Sequence, residues 1–296
     1  MKLTRLAIVP NQNKRDGIMR LLLLGVASIA LSGCSWIGLG GSKHSNNYNH
    51  HNGHYSKSTT SHKVSGCQGQ CLSRWNLEAA IGPEFIIDGD GVTGDRINNI
   101  PGVVGNNESF GSAFDDGVRY ELGGSYALSP NRKVTLIGHY ANADGNDVTL
   151  GTVNGAALSG TLSDYERYGV EAGLRQYFRP RAVPIVKGLR PYVEGRLGAT
   201  NVDDISLNNA TLGAAAFNGG TAAFYEGGWV PTAAGLVGVE APIFNRATLG
   251  LETGLRYTGT LDTDTSDFGP GVPLAGTNNG SNNWTVPVML RGRYRF

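Results

Sequence analysis

Residues 283–296 read NWTVPVMLRGRYRF, with Trp284, Val286, Val288, Leu290, Tyr294 and Phe296 alternating against Arg291, Arg293 and Arg295. Successive side chains of a β-strand point to opposite faces, so a strand here is apolar on one side and cationic on the other. A sheet in water turns its apolar face inward and leaves its charges outside. The reverse arrangement, with the arginines enclosed and the apolar face outward, requires an oily surrounding medium.

Seven earlier segments repeat the period of two. RWNLEAAIGPEFII sets Trp75, Leu77, Ala79, Ile81, Phe85 and Ile87 against Asn76, Glu78 and Glu84. DGVRYELGGSYAL sets Val118, Tyr120, Leu122 and Tyr126 against Arg119, Glu121 and Ser125. RKVTLIGHYANA opposes Val134, Leu136 and Tyr140 to Thr135 and His139, and DYERYGVEAGLRQYF opposes Tyr168, Val170, Ala172 and Leu174 to Glu171 and Arg175. In GLRPYVEGRLGA, Leu189, Val193 and Leu197 face away from Glu194 and Arg196. The sixth, about 222–242, is irregular, since Val230 and Leu236 fall on the polar face. RATLGLETGLRYTG is regular again, with Ala247, Leu249, Leu251, Leu255 and Tyr257 against Glu252 and Arg256.

The connections alternate too. Short ones (LSPNRK, RPRAVPIVKG, APIFNR) follow the second, fourth and sixth segments, and long Gly/Asn/Asp-rich ones follow the first, third, fifth and seventh. The connection around 143–163 holds Asn154-Gly155, a pair suited to a tight hairpin turn. A helical membrane bundle needs several spans of about 20 apolar residues, and no such run follows residue 33. Strands with unpaired edges are costly in hydrocarbon, so the eight must close on themselves. The expectation is an all-β fold: an eight-stranded antiparallel up-and-down transmembrane β-barrel over 73–296, with short turns at one end and long loops at the other.

The region 73–296 resembles the small bacterial outer-membrane barrels of the OmpA/OmpX type. The ending Tyr294-Arg295-Phe296, apolar at alternate positions back from a terminal Phe, is similar to the signal read by the barrel-assembly machinery. The resemblance implies residence in the outer membrane with the long loops extracellular, and outer-membrane lipid and that machinery as partners. Basic and acidic residues number 25 and 24, which gives no argument for nucleic acid.

The N-terminus carries an address. A basic segment precedes LLLLGVASIALSGC, which reads as a cleaved secretory signal over 1–33. Leu31-Ser32-Gly33-Cys34 resembles the lipobox of bacterial lipoproteins, which implies a covalent lipid on Cys34 and a periplasmic N-terminus. Ser35 after it favours the outer membrane by the same resemblance. MRLLLLGVASIALSGC is itself a compact signal, so translation starts at Met1 or at Met19. Residues 34–72 are polar and aperiodic, the composition of a disordered periplasmic tether. The tether holds five of the six histidines, and His50, His51 and His54 are candidate ligands for Zn, Cu or Ni beside the plainer reading of a solvated linker. Cys67 and Cys71 suit a disulfide in an oxidising compartment, with a zinc site shared with His62 as the alternative.

An eight-stranded barrel has room inside for side chains and little else. The expected lumen therefore pairs Glu78, Glu84, Glu121, Glu171, Glu194 and Glu252 with Arg119, Arg175, Arg196, Arg256, Arg291, Arg293 and Arg295, since a buried charge left alone costs far more than a paired one. Glu78, Glu252 and Arg291 fall at similar heights and are expected to cluster. His139 is the only histidine of the barrel region, and Thr135 and Ile137 beside it supply no base, so no enzyme and no cofactor is expected. The functional expectation is a structural, adhesive or surface-binding role through the loops; a narrow porin is the second reading and a lipid-modifying enzyme the third.

Overall fold

The computed structural model of the protein describes residues 74–94, 100–179, 188–268, 274–280 and 282–296. The expected signal (1–33) and tether (34–72), with Cys34, His50, His51, His54, Cys67 and Cys71, lie outside the described residues. Among those described, seventeen strands follow in chain order: β1 (Trp75–Asp88), β2 (Asp90–Val92), β3 (Val103–Gly105), β4 (Glu108–Ser109), β5 (Gly117–Ser129), β6 (Arg132–Ala143), β7 (Asp147–Val153), β8 (Ala156–Leu162), β9 (Tyr165–Tyr177), β10 (Arg190–Val202), β11 (Ile205–Leu212), β12 (Ala215–Ala216), β13 (Thr221–Glu226), β14 (Gly228–Pro242), β15 (Ala247–Thr258), β16 (Asp262–Thr263) and β17 (Asn283–Arg295).

The eight long strands form a closed antiparallel barrel in the order β1-β17-β15-β14-β10-β9-β6-β5, which β1 completes by pairing with both β17 and β5. Their lengths, from 12 residues in β6 to 15 in β14, exceed the roughly 9–11 that a tilted strand needs to cross a bilayer. Side chains alternate as the sequence dictates. Leu136, Leu197, Val237 and Leu251 stand 54%, 71%, 51% and 57% exposed on the outside, while Glu78, Glu121, Arg175 and Arg196 are buried within.

Exterior aromatic pairs collect near the two rims. Trp75–Tyr126 and Tyr294–Phe296 lie at the end that carries the barrel's first and last residues, and Tyr120–Tyr140, Tyr168–Trp229 and Tyr257–Trp284 lie toward the other. Small residues let the strands coil around so narrow a lumen. A Cβ at the inward Gly254 would overlap the Gly235 carbonyl of the adjacent strand.

The sixth segment divides in two. Its first part, Thr221–Glu226, belongs to a different sheet, and only Gly228–Pro242 is barrel. Val230 and Leu236 do face inward, 8% and 2% exposed. Val230 meets an apolar core at the mouth, so the irregular parity marks the place where the barrel stops being polar inside.

The long connections are folded. They supply a seven-stranded sheet in the order β16-β13-β11-β8-β7-β3, with β12 paired to β11, and the two-stranded β2-β4. Asn154 and Gly155 turn β7 into β8 with φ of 50° and 83°, the doubly positive geometry that makes Asn-Gly the preferred pair in a two-residue hairpin. One face of the large sheet carries Val148, Leu150, Leu158, Leu162, Ile205, Leu207, Ala222 and Phe224, all buried. These pack with Phe110 and Phe114 of a short helical turn and with Ala143, Tyr165, Val202 and Val230 at the ends of β6, β9, β10 and β14. The second core thus sits on the barrel mouth opposite the short turns.

Candidate functional site

The lumen is the chemically dense part of the molecule. Strand parity sends one residue in two inward, and most of the inward positions at mid-barrel carry long charged side chains, with Ile137, Leu236 and Met289 as apolar exceptions. Seven glutamates (Glu78, Glu84, Glu121, Glu171, Glu194, Glu240 and Glu252) and six arginines (Arg119, Arg167, Arg175, Arg196, Arg256 and Arg291) are buried, and Arg293 is half-buried beside Glu240.

They stack in layers from the short-turn end. Arg293 Nη2 lies 2.7 Å from Glu240, and its Nη1 donates to the Tyr177 hydroxyl, which donates to Glu240 at 3.2 Å. Above them Arg175 spans Glu194 (2.7 Å) and Glu78 (2.9 Å), while Ser125 donates to Glu78 and Thr135 to Glu194, both at 2.6 Å. The centre is a lattice with several partners for each charge. Arg291 meets Glu121 and Glu252 at 2.6 Å each and Glu78 at 3.4 Å; Arg196 meets Glu194, Glu121 and Glu252 at 2.8, 2.9 and 3.2 Å. Tyr192 donates to the second Glu252 oxygen at 2.8 Å.

Toward the mouth, Arg256 bridges Glu121 (2.8 Å) and Glu171, and Arg119 bridges Glu121 (2.9 Å), Glu171 (3.4 Å) and Glu84 (3.6 Å). Arg167 closes the series against Glu84 at 3.1 Å, with Thr285 donating to the other Glu84 oxygen at 2.6 Å. The Arg167 guanidinium lies 4.5 Å from the ring centroid of Tyr165, where polar lumen gives way to apolar cap. In the cap, Tyr225 donates to the Gly91 carbonyl at 2.5 Å, and burial pushes its phenol well above the usual tyrosine range.

The expected trio is together: Arg291 faces Ala80 on β1 and Gly250 on β15, two residues from Glu78 and Glu252 respectively. Arg295 is corrected. It is exposed past the end of the lumen, registered against Asn76 of β1, and its backbone N–H donates to the carbonyl of Arg246 in the turn before β15. Arg293 pairs with Glu240, a partner missing from the sequence reading, as is Arg167. Both were detectable: Arg167 shares parity with Glu171 and Arg175, and Glu240 with the inward Leu236. Tyr294 and Phe296 are exposed at the barrel end, 43% and 52%.

His139 has neighbours that the sequence did not anticipate. Its Nε2 lies 2.5 Å from the Thr200 hydroxyl, and its Nδ1 is 4.0 Å from Glu171. Ser125, on the adjacent strand β5, donates to Glu78 and accepts from Asn76. Histidine, Thr200 and Glu171 are all 3% exposed or less, beneath the cap. The imidazole is thus hydrogen-bonded to the hydroxyl alone, and its Nδ1 stands beyond hydrogen-bond distance of the carboxylate. Among the described residues no group of His, Cys, Asp and Glu is arranged to hold a metal ion.

The outward face of the large sheet is a second feature. It carries Thr149, Ser159, Thr161, Ser206, Asn208 and Thr211, with Thr149 and Ser159 hydrogen-bonded across strands at 2.9 Å and Thr161 donating to Asp147 at 2.5 Å. Asp264, just after β16, is held below the usual carboxylate range by the Ser266 hydroxyl and backbone amide.

Comparison with protein-family models and with curated proteins gives no match. Among solved structures, the chain is similar to Neisserial surface protein A, at 13% identity and a TM-score of 0.42 over 77% of this chain and 100% of that one. It is also similar to Ail, the attachment invasion locus protein of Yersinia pestis (15%, TM-score 0.32, 75% and 98%). The N-terminal β-barrel domain of Pseudomonas aeruginosa OprF is a third (12%, TM-score 0.32, 76% and 99%). Each is a likeness of barrel fold alone.

Proposed function

We propose that this protein is a non-conducting outer-membrane barrel that displays a folded platform of loops to an extracellular ligand. One observation carries the reading. Among the described residues the lumen is filled by buried, mutually paired glutamates and arginines and is roofed by an apolar core, which supports a lumen closed to ions and solutes. The exposed apolar band between two aromatic girdles supports the membrane setting. The platform's outward face of short hydroxyl and amide side chains, with Thr149–Ser159 and Thr161–Asp147 bonded across strands, offers donors and acceptors at little entropic cost and supports binding rather than catalysis. A lipid on Cys34, a periplasmic tether and recognition of Tyr294 and Phe296 by the assembly machinery belong to the same proposal.

Reconstitution in planar bilayers tests it. The expected record has no steady open level, and a steady conductance of porin size would replace this reading with that of a small pore. Truncating β7–β8 and β11–β13 is expected to remove cell-surface binding while leaving the barrel's heat-modifiable gel mobility unchanged.

A further inference from the structure

At the barrel end with the short connections, exposed arginines and exposed large apolar residues recur side by side. Arg74 adjoins Trp75 at the start of β1, and Arg132 follows Leu128 across the β5–β6 turn. Arg179 follows Phe178 after β9, Arg246 follows Ile243 and Phe244 between β14 and β15, and Arg295 lies between Tyr294 and Phe296. Turn tips in water favour Gly, Asn, Asp, Ser and Pro, yet Phe244 stands 75% exposed in its turn. The one described acidic side chain at the level of these turns is Glu240, which is buried against Arg293. The opposite end is the reverse. Asp116, Asp144, Asp204, Glu226 and Asp262 are exposed there, and beyond Arg167 it has no described lysine or arginine.

We infer that the short-turn rim is a collar for anionic phospholipid headgroups. Its apolar residues sit at the acyl boundary and its guanidiniums engage the phosphates, which guanidinium geometry binds through paired hydrogen bonds. Two features select a bilayer over a soluble polyanion. The pairs are distributed around the circumference, on β1, β5–β6, β9, β14–β15 and β17, and each arginine has an apolar neighbour that a soluble partner would leave in water. The collar rests on the membrane reading above and adds to it: it fixes the leaflet this end faces and the depth at which the barrel sits, while the acidic end avoids anionic phospholipid.

The test uses the full chain refolded into phosphatidylcholine vesicles with and without phosphatidylglycerol, and reads relative association of the two spin-labelled lipids. The wild type is expected to prefer phosphatidylglycerol by about fivefold, the factor that about 1 kcal/mol for one cation near an anionic surface converts to. The variant carrying Arg74→Gln, Arg132→Gln, Arg179→Gln, Arg246→Gln and Arg295→Gln is expected to show no preference, and Asp116→Asn with Asp144→Asn to keep it. If the fivefold variant does not fold, Arg246→Gln and Arg295→Gln singly are each expected to lose part of the preference. Insertion without a preference, a preference unchanged in the arginine variants, or one abolished by excess inorganic phosphate overturns the collar. Failure to insert into either vesicle overturns the membrane reading, and the collar with it.

Discussion

Arg175 is 0% exposed, with Glu194 2.7 Å and Glu78 2.9 Å away and the Tyr192 ring beneath its guanidinium at 4.7 Å. Removing one partner of such a set leaves the others charged, enclosed and uncompensated, which costs about 3–5 kcal/mol where it has been isolated. Arg175→Ala is therefore expected to lower unfolding stability by that order in urea titration of the refolded barrel in detergent. Arg295→Gln, at an exposed position, is expected to change it by no more than about 0.5 kcal/mol. Equal effects at the two positions would contradict the paired lumen. Parity alone identified most members of this network, because a charged residue on the inner face has nowhere else to go. Arg295 shows the limit: alternation continues past the level where a strand leaves the lumen, and it does not say where that level is.

β14 and the loop sheet show what was hidden at the scale of elements. The barrel strands announced themselves through long runs of alternation. The segment from Asp147 to Leu162 also alternates, with Val148, Leu150, Leu158 and Leu162 on the buried face. Its strands are 7 residues each and its outward residues are short and, apart from Asp147, uncharged, so the pattern resembled ordinary Gly/Asn-rich loop. What distinguishes them is Asn154-Gly155, whose hairpin geometry needs two strands to join. The sheet holds its own core around Phe224, which is 0% exposed and packs edge-on against Tyr225 and Phe268. Phe224→Ala is expected to cost about 3–5 kcal/mol within that core. Hydrogen exchange should then accelerate at β11 and β13 while β10 and β15 keep their protection, since the ladder of the barrel is separate. Loss of protection throughout would mean that cap and barrel unfold as one unit.

The molecule as a whole inverts the arrangement of a water-soluble protein: charges are paired inside and apolar side chains stand outside. Three levels agree on this, namely the alternating sequence, a closed barrel without free edges and a lumen in which every buried glutamate meets an arginine. The outward apolar face is costly in water and favourable in a bilayer, and closure leaves no unpaired strand edge in hydrocarbon. Trp284 reports on the central claim directly, because it sits on the outer surface, 37% exposed, edge-on to Tyr257 at 5.3 Å. The measurement is tryptophan fluorescence of the refolded protein carrying Trp36→Phe, Trp75→Phe and Trp229→Phe, in vesicles with brominated acyl chains and with acrylamide in the aqueous phase. Strong quenching by the bromines and weak quenching by acrylamide is the predicted result; strong acrylamide quenching with no effect of the bromines would contradict a barrel whose outer face meets lipid.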